Sequence, residues 1–178
     1  ADQCATATVL EAGCGEGYGA ELLARSARLV IGLDYDAQAA AHVGSRYPSV
    51  RMIRGNLAHL PVADSSVDVV VNFQVIEHLW DQPGFLAECA RVLRPGGLLL
   101  LSTPNRLTFS PGRDTPLNPF HTRELSAEEL TELLVDAGFV VAELLGLHHG
   151  PRLAELDAKH GGSLIEAQLA VAMRGEDW

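Results

Sequence analysis

Thr8-Val9-Leu10-Glu11-Ala12-Gly13-Cys14-Gly15-Glu16-Gly17 is the stretch that decides the fold. Its first half is a short apolar run broken by one carboxylate, the pattern of a buried strand, and its second half is a glycine cluster that cannot continue one. Glycines there permit positive φ and let the backbone come close to a ligand. Residues 22–27 then carry an apolar face at helical spacing. Strand, glycine turn and helix in that order open a βαβ unit.

Working outward, short apolar runs keep alternating with helical patterns. Residues 29–33 read as a second strand stopping at Asp34, and residues 37–47 as a helix ended by Pro48. Residues 50–54 give a third strand, and residues 67–73 a fourth, predominantly apolar and therefore central. Residues 84–94 are helical, with Leu86, Cys89, Ala90 and Leu93 on one face, and Pro95-Gly96-Gly97 stops them. Residues 98–102 form a fifth strand. Ser126-Ala127-Glu128-Glu129 is a capping box that starts a helix carrying Leu130, Leu133, Leu134 and Ala137 and ending at Gly138. Residues 139–145 read as a sixth strand, and after Pro151 the pattern is helical (Leu153, Leu156, then Leu164, Ile165 and Leu169) with no clear last strand. There is no internal repeat or low-complexity linker. The expectation is one α/β domain over residues 1–178: a doubly wound, mostly parallel sheet with helices on both faces, trimmed at both ends and lacking its last strand.

Composition narrows the partners. The chain of 178 residues is long enough to bury a core without disulfides or metals, and 47% apolar with 20% charged residues is ordinary for a soluble globular domain. A formal charge of -10 argues against a nucleic-acid backbone as main partner, though a local basic pocket stays compatible with it. No apolar run approaches the roughly 18 to 20 residues of a membrane span, and no secretory signal pattern opens the chain. Cys4, Cys14 and Cys89 make neither a disulfide ladder nor a metal clip, which points to a reducing, cytoplasmic setting.

In an open α/β sheet the ligand crevice lies at the carboxyl ends of the strands, at the switch point. Asp34 ends the second strand 21 residues after Gly13, close to the roughly 20-residue offset at which an acidic side chain grips ribose hydroxyls. The spacing is Gly-x-Gly-x-Gly, with Glu11 two residues before the first glycine. Glu11 and Glu16 repel a pyrophosphate but suit a sulfonium cofactor bearing an amino group, so a nicotinamide dehydrogenase is the weaker reading.

LEAGCGEGYGA (10–20), IGLDYD (31–36), GNLAHLP (55–61), FQVIEHL (73–79) and RVLRPGGLLLLSTPN (91–105) together resemble the class I S-adenosylmethionine-dependent methyltransferases, in particular the methyltransferase type 11 group. The resemblance implies the Rossmann-like methyltransferase fold and S-adenosylmethionine as cofactor. It implies that Glu11, Gly13 and Gly15 line the methionine part, that Asp34 takes the ribose hydroxyls and that Tyr35 flanks the adenine. Asn56 and Leu57 would contact the adenine edge, with Gln74 beneath the methionine. Families of this type often carry Asp where Asn56 stands, and an amide can both donate and accept.

Methyl transfer is an in-line displacement that needs an oriented nucleophile and exclusion of water, and a hydroxyl acceptor also needs a base. His121, in the long segment after the fifth strand, has the right unperturbed pKa to be that base, although a surface-loop histidine reads the same way. Glu77-His78 follows the fourth strand. The metal-dependent O-methyltransferases of the superfamily have Glu-x-x-Glu-His there, whereas this chain has Gln74 in the first position. Glu77, His78 and His121 could hold a magnesium ion that lowers the acceptor's pKa, or could simply cap and line the cleft. His148 and His149 could line the acceptor pocket.

STPNRLTFSPGRDTPLNPFHTRE (102–124), NFQVIEHLWDQ (72–82) and HHGPRLAELDAKHGGSLIEAQ (148–168) are similar to the mycobacterial sugar 1-O-methyltransferases of methylmannose polysaccharide synthesis. That resemblance implies a short 3-O-methylated α-1,4-mannoside as acceptor, methylated at its reducing-end hydroxyl. Two other readings remain open: methylation of a quinone-like phenol or natural product, and a non-catalytic cofactor-binding domain.

Overall fold

The computed structural model describes residues 2–147, 150–159 and 161–162. Its frame is a five-stranded sheet of β1 (Thr8–Ala12), β2 (Leu29–Asp34), β3 (Val50–Arg54), β4 (Val67–Phe73) and β5 (Leu93–Ser102), in spatial order β3-β2-β1-β4-β5. Every pairing is parallel. Strand order therefore runs outward one way from β1 through β2 and the other way through β4, which puts the switch point between β1 and β4.

Helices α1 (Tyr18–Ala24), α2 (Ala37–Arg46), α3 (Gln82–Val92), α4 (Arg106–Phe109), α5 (Ala127–Asp136) and α6 (Pro151–Lys159), with short 3₁₀ turns at Asp2–Cys4 and Ile76–His78, complete the described elements. Side chains of a strand alternate between faces, and the two cores show it. Leu10, Ala12, Leu33 and Val70 pack on one face with Phe85, Leu86 and Cys89 of α3 and with Leu133 and Leu134 of α5. Val9, Val30, Val69 and Val71 pack on the other with Ala20 of α1 and Val43 of α2. All five residues of β1 are buried, as a strand covered on both sides must be.

The capping box is formed as the sequence predicts: Ser126 Oγ accepts from Glu129 N–H at 3.2 Å, and the Glu129 carboxylate accepts from Ser126 N–H at 2.7 Å. Three expectations need correction. First, α1 occupies Tyr18–Ala24 rather than 22–27, because it begins directly on left-handed Gly17. Second, α3 stops at Val92 and β5 begins at once. Leu93 opposes Val67 and the next pair is Leu98 with Val69, so the Arg94–Gly97 segment is looped out of the ladder, with Gly96 at φ 77° and Arg94 paired to Asp68. The Pro-Gly-Gly run is thus a bulge inside an edge strand as well as a helix stop. Third, residues 139–145 form no strand. A strand exists by pairing its backbone, and among the described residues nothing pairs on the outer edge of β5. Val140 and Leu147 are 92% and 96% exposed.

The long segment after β5 is pinned at its ends. Asn105 and Leu125 form an isolated parallel bridge, Arg106 N–H donates to Leu125 O at 3.0 Å, and Asn105 Oδ1 caps α4 at Leu107 N–H, 3.0 Å away. Residues 105–125 therefore make a closed excursion over the carboxyl edge of the sheet.

Candidate active site

The glycine turn after β1 is held against β2. Gly13 and Cys14 N–H both donate to Leu33 O, at 2.8 and 3.0 Å, and Gly15 N–H donates to Asp34 Oδ2 at 2.8 Å. Gly13 sits at φ 85°, and a Cβ there would meet Val75 methyls at 2.7 and 2.8 Å. Gly15, at φ 52°, faces open space instead. The turn therefore packs on one side and presents bare backbone on the other.

Glu11 projects beneath this turn and is only 9% exposed. Burial pushes its carboxyl up to about 7, against the opposing pull of the Ala20 N–H. Oε2 has no hydrogen-bond partner, and a Cβ on Gly19 would collide with Oε1. Asp34 accepts from Asp36 N–H at 2.9 Å through its other oxygen. Since a carboxylate offers about four acceptor sites, two backbone bonds leave capacity for a diol. Tyr35, beside it, is 72% exposed.

The remaining expected cofactor residues divide. Asn56 is exposed, with Oδ1 accepting from Ala58 N–H at 2.9 Å. Leu57 buries its side chain in the core, which leaves only its backbone for an adenine edge. Gln74 follows β4 at φ 58°, an unusual conformation for a non-glycine residue of the kind that collects at functional sites. Its amide donates to Ser102 Oγ at 3.1 Å.

Across the switch point, the turn after β4 is stitched to the 105–125 excursion. Thr122 N–H donates to Glu77 O at 2.7 Å, Thr122 Oγ donates to Leu79 O at 2.6 Å, and the Gln82 amide bonds Ile76 O and Arg123 O at 3.0 and 2.8 Å. Glu77 is buried, accepting from Thr103 Oγ at 2.9 Å. His78 Nδ1 lies 2.9 Å from Phe120 O, so that nitrogen carries the proton and Nε2 is the ring's free acceptor in the neutral tautomer. The His78 and His121 rings meet edge to face at 4.8 Å. The expected trio Glu77, His78 and His121 does come together: one ligand atom from each lies within 4.8 Å of the others.

His121 itself is not a loose loop histidine. Its side chain is 5% exposed, Nδ1 lies 2.6 Å from Glu124 Oε1, and Nε2 lies 3.0 Å from Asn118 Nδ2. Asn118 Oδ1 accepts from Phe120 N–H at 3.0 Å, which orients the amide with its nitrogen toward the ring. The pattern assigns the Nδ1–H tautomer, with Nε2 as acceptor. Glu124 and Asn118 were not singled out from sequence, although their spacing of three on either side of His121 was the available signal. His148 and His149 lie outside the described residues.

Residues 10–101 match the methyltransferase domain family. The chain belongs to that family. Over all 178 residues it is 66% identical to a protein of Mycobacterium tuberculosis named as a probable S-adenosylmethionine-dependent methyltransferase, of which it spans 65%. A protein of Mycolicibacterium smegmatis with a similar name is 68% identical, also over this whole chain and over 69% of its own length. A ubiquinone biosynthesis O-methyltransferase of Parvibaculum lavamentivorans is 30% identical over 80% of this chain and 62% of its own. Among solved structures, an S-adenosylmethionine-dependent methyltransferase of Mesorhizobium loti superposes with a TM-score of 0.75 over 91% of this chain and 87% of its own, at 17% identity. That likeness establishes the fold. Among the described residues no helix is long and apolar enough to cross a membrane.

Proposed function

We propose that this protein transfers the methyl group of S-adenosylmethionine to a hydroxyl oxygen of a short sugar acceptor, the reducing-end hydroxyl of a 3-O-methylated α-1,4-mannoside. The observation that carries the cofactor is the Glu11 carboxylate, buried beneath the glycine turn with Oε2 unpartnered. An isolated buried carboxylate is unfavourable unless something cationic completes it, and an amino-acid ammonium does so. The open face of Gly15, the spare acceptor capacity of Asp34 and the exposed ring of Tyr35 supply the backbone approach, the ribose grip and the adenine neighbour. The names of the mycobacterial relatives agree with this reading. Bound there, the sulfonium supplies an activated methyl group.

On the acceptor side, Glu124 fixes the His121 imidazole in the tautomer whose Nε2 accepts a proton, the arrangement in which a third group orients a general base. The Asn118 amide occupies Nε2, and an acceptor hydroxyl takes its place when it binds. The proton then moves to Nε2 as oxygen attacks, and the buried Glu124 stabilises the imidazolium. An anomeric hydroxyl is more acidic than an ordinary alcohol, so one imidazole suffices. The 30% identity to an O-methyltransferase of ubiquinone synthesis supports oxygen as the attacked atom. The sugar itself rests on the resemblance of residues 102–124 and their neighbours.

A second reading is favoured by one observation, the convergence of Glu77, His78 and His121. Magnesium or another divalent cation held by those three would lower the acceptor's pKa, provided His121 released Asn118. Transfer of labelled methyl from S-adenosylmethionine to short α-1,4-mannosides and to quinone-like phenols tests the proposal. Label at the anomeric oxygen, which makes the product resistant to borohydride reduction, is the expected result. Label on the phenol alone removes the sugar, and calorimetry that finds NAD binding but no S-adenosylhomocysteine binding removes the cofactor.

A further inference from the structure

Beside His121 lies a polar cavity of about 280 Å³, walled by α4, the 113–116 turn and the first turn of α5. That is close to the lower end of ligand-sized cavities, about 300–1,000 Å³. Three guanidiniums (Arg106, Arg113 and Arg123) and three carboxylates (Asp114, Glu124 and Glu129) line it. Their formal charges cancel, so the cavity has no net charge with which to hold a free anion or cation. What it offers is a dense set of donors and acceptors, with the hydroxyl-bearing Thr115 and Thr122 between them. Each sugar hydroxyl both donates and accepts, and neighbouring hydroxyls match the two-pronged geometry of a guanidinium or a carboxylate.

Arg106 reaches Glu129 through Nε and Nη2 at 3.4 and 3.3 Å, and Arg123 reaches it through Nη2 at 3.5 Å. A guanidinium has five N–H donors, so these contacts fix the two forks without exhausting them. Glu124 is among the residues lining the cavity, with its side chain buried and its Oε2 without a hydrogen-bond partner. Its Oε1 is the atom that holds His121. One carboxylate therefore joins the cavity to the imidazole.

We propose that this cavity is a subsite for a neutral, hydroxyl-rich ring: the glycosyl unit next to the one that is methylated. The assignment rests on the sugar-acceptor reading given above. A ring seated against Arg113, Thr115 and the Glu124 wall holds its neighbour's hydroxyl toward His121, so the site selects acceptors of at least two units.

Arg113→Ala and Thr115→Val, both on the exposed turn, test this in the full chain. In the methyl-transfer assay each should raise KM for an α-1,4-mannobiose, by about tenfold for the arginine, the scale of one lost charged hydrogen bond. The turnover number, the S-adenosylhomocysteine affinity and the rate with single mannose should be retained. Saturation-transfer NMR with the same disaccharide reads the cavity without turnover. Contact in the natural protein that is lost in Arg113→Ala supports the subsite even if no mannoside is methylated, the outcome that removes the acceptor reading alone. No contact in the natural protein, or equal contact in both variants, overturns the subsite. Stronger competition by a sugar phosphate than by the neutral disaccharide also overturns it.

Discussion

On the β1–β2 side of the cleft the groups around the glycine turn are left open, whereas on the β4–β5 side the side chains around His121 bond to one another, with Asn72 Oδ1, Gln82 Oε1 and Glu124 Oε2 the buried atoms still without a partner. Glu11 has a buried oxygen without a partner, Gly15 faces empty space and Tyr35 stands in solvent. Across the switch point, Glu77 is bonded to Thr103, both nitrogens of His121 are engaged, and Thr122 and Gln82 sew two segments together. The first half binds by completing what is missing. On the proposed mechanism the second half binds by exchange, an acceptor hydroxyl displacing the Asn118 amide. Binding on the first side should therefore be governed by charge and pH, and chemistry on the second by geometry.

The largest expected effect tests the exchange side. His121→Ala should lower the turnover number by about a hundredfold or more, the usual scale for a lost general base, with S-adenosylhomocysteine affinity nearly unchanged. Steady-state kinetics beside calorimetry separates the two quantities. Loss of cofactor affinity in step with turnover would make His121 structural, and near-normal turnover would move the base to Nε2 of His78.

Asp34→Ala should weaken S-adenosylhomocysteine binding by about ten- to a hundredfold, since charge-assisted bonds to the ribose contribute about 1.5–3 kcal/mol. The variant also frees the Gly15 N–H, so a control ligand lacking the ribose 2′- and 3′-hydroxyls should lose little further affinity. Were that analogue to suffer the same loss as the natural ligand, the carboxylate would be holding the turn and not the ribose.

Glu11 gives a pH dependence of definite sign. Its folded pKa of about 7 lies above the ordinary 4.5. Between those values the folded chain keeps a proton that the unfolded chain releases, so the stability of the unliganded protein falls as pH rises through that window. The full loss is about 3 kcal/mol, reached above pH ~7. Binding of an ammonium runs the other way: S-adenosylhomocysteine affinity should rise as Glu11 ionises, by about tenfold from pH ~6 to ~8. Glu11→Gln should flatten both profiles, raise the melting temperature of the unliganded protein at high pH and weaken cofactor binding. Melting curves and titrations at matched ionic strength read all of this, and an unchanged pH profile in the glutamine variant would remove the charge from the binding account.

The smallest expected effect is none. With His121 as base, EDTA should leave the transfer rate unchanged. A rate abolished by EDTA and restored by magnesium would instead assign the step to a cation on Glu77, His78 and His121.

The layered sheet was legible because β1, β3 and β4 are short segments rich in valine, leucine and isoleucine, and their limits in sequence are their limits in the structure. The capping box at Ser126 was legible for a local reason, since both bonds lie within four residues. Residues 139–145 misled because a strand's apolar pattern records propensity and not the partner it needs. The glycine turn and Asp34 announced themselves by spacing. The bonding of His121 did not: Asn118 and Glu124 lie three residues to either side of it, but nothing in a polar loop marks which carboxylate is buried. Leu57 turns its apolar side chain into the core, which leaves its backbone for the expected contact.

The Asn105–Leu125 bridge has a use beyond stability. It holds the two ends of the 105–125 excursion side by side beyond β5, two strands away from β1 and its glycine turn. Closing a loop between ends that already touch adds little chain entropy for each added residue. Lengthening, shortening or exchanging the interior therefore leaves β1, β2 and the glycine turn as they are. On the acceptor site proposed above, this makes the excursion a cassette: a new acceptor preference could be grafted or evolved there, as long as Thr122 and His121 return to meet the Glu77 turn.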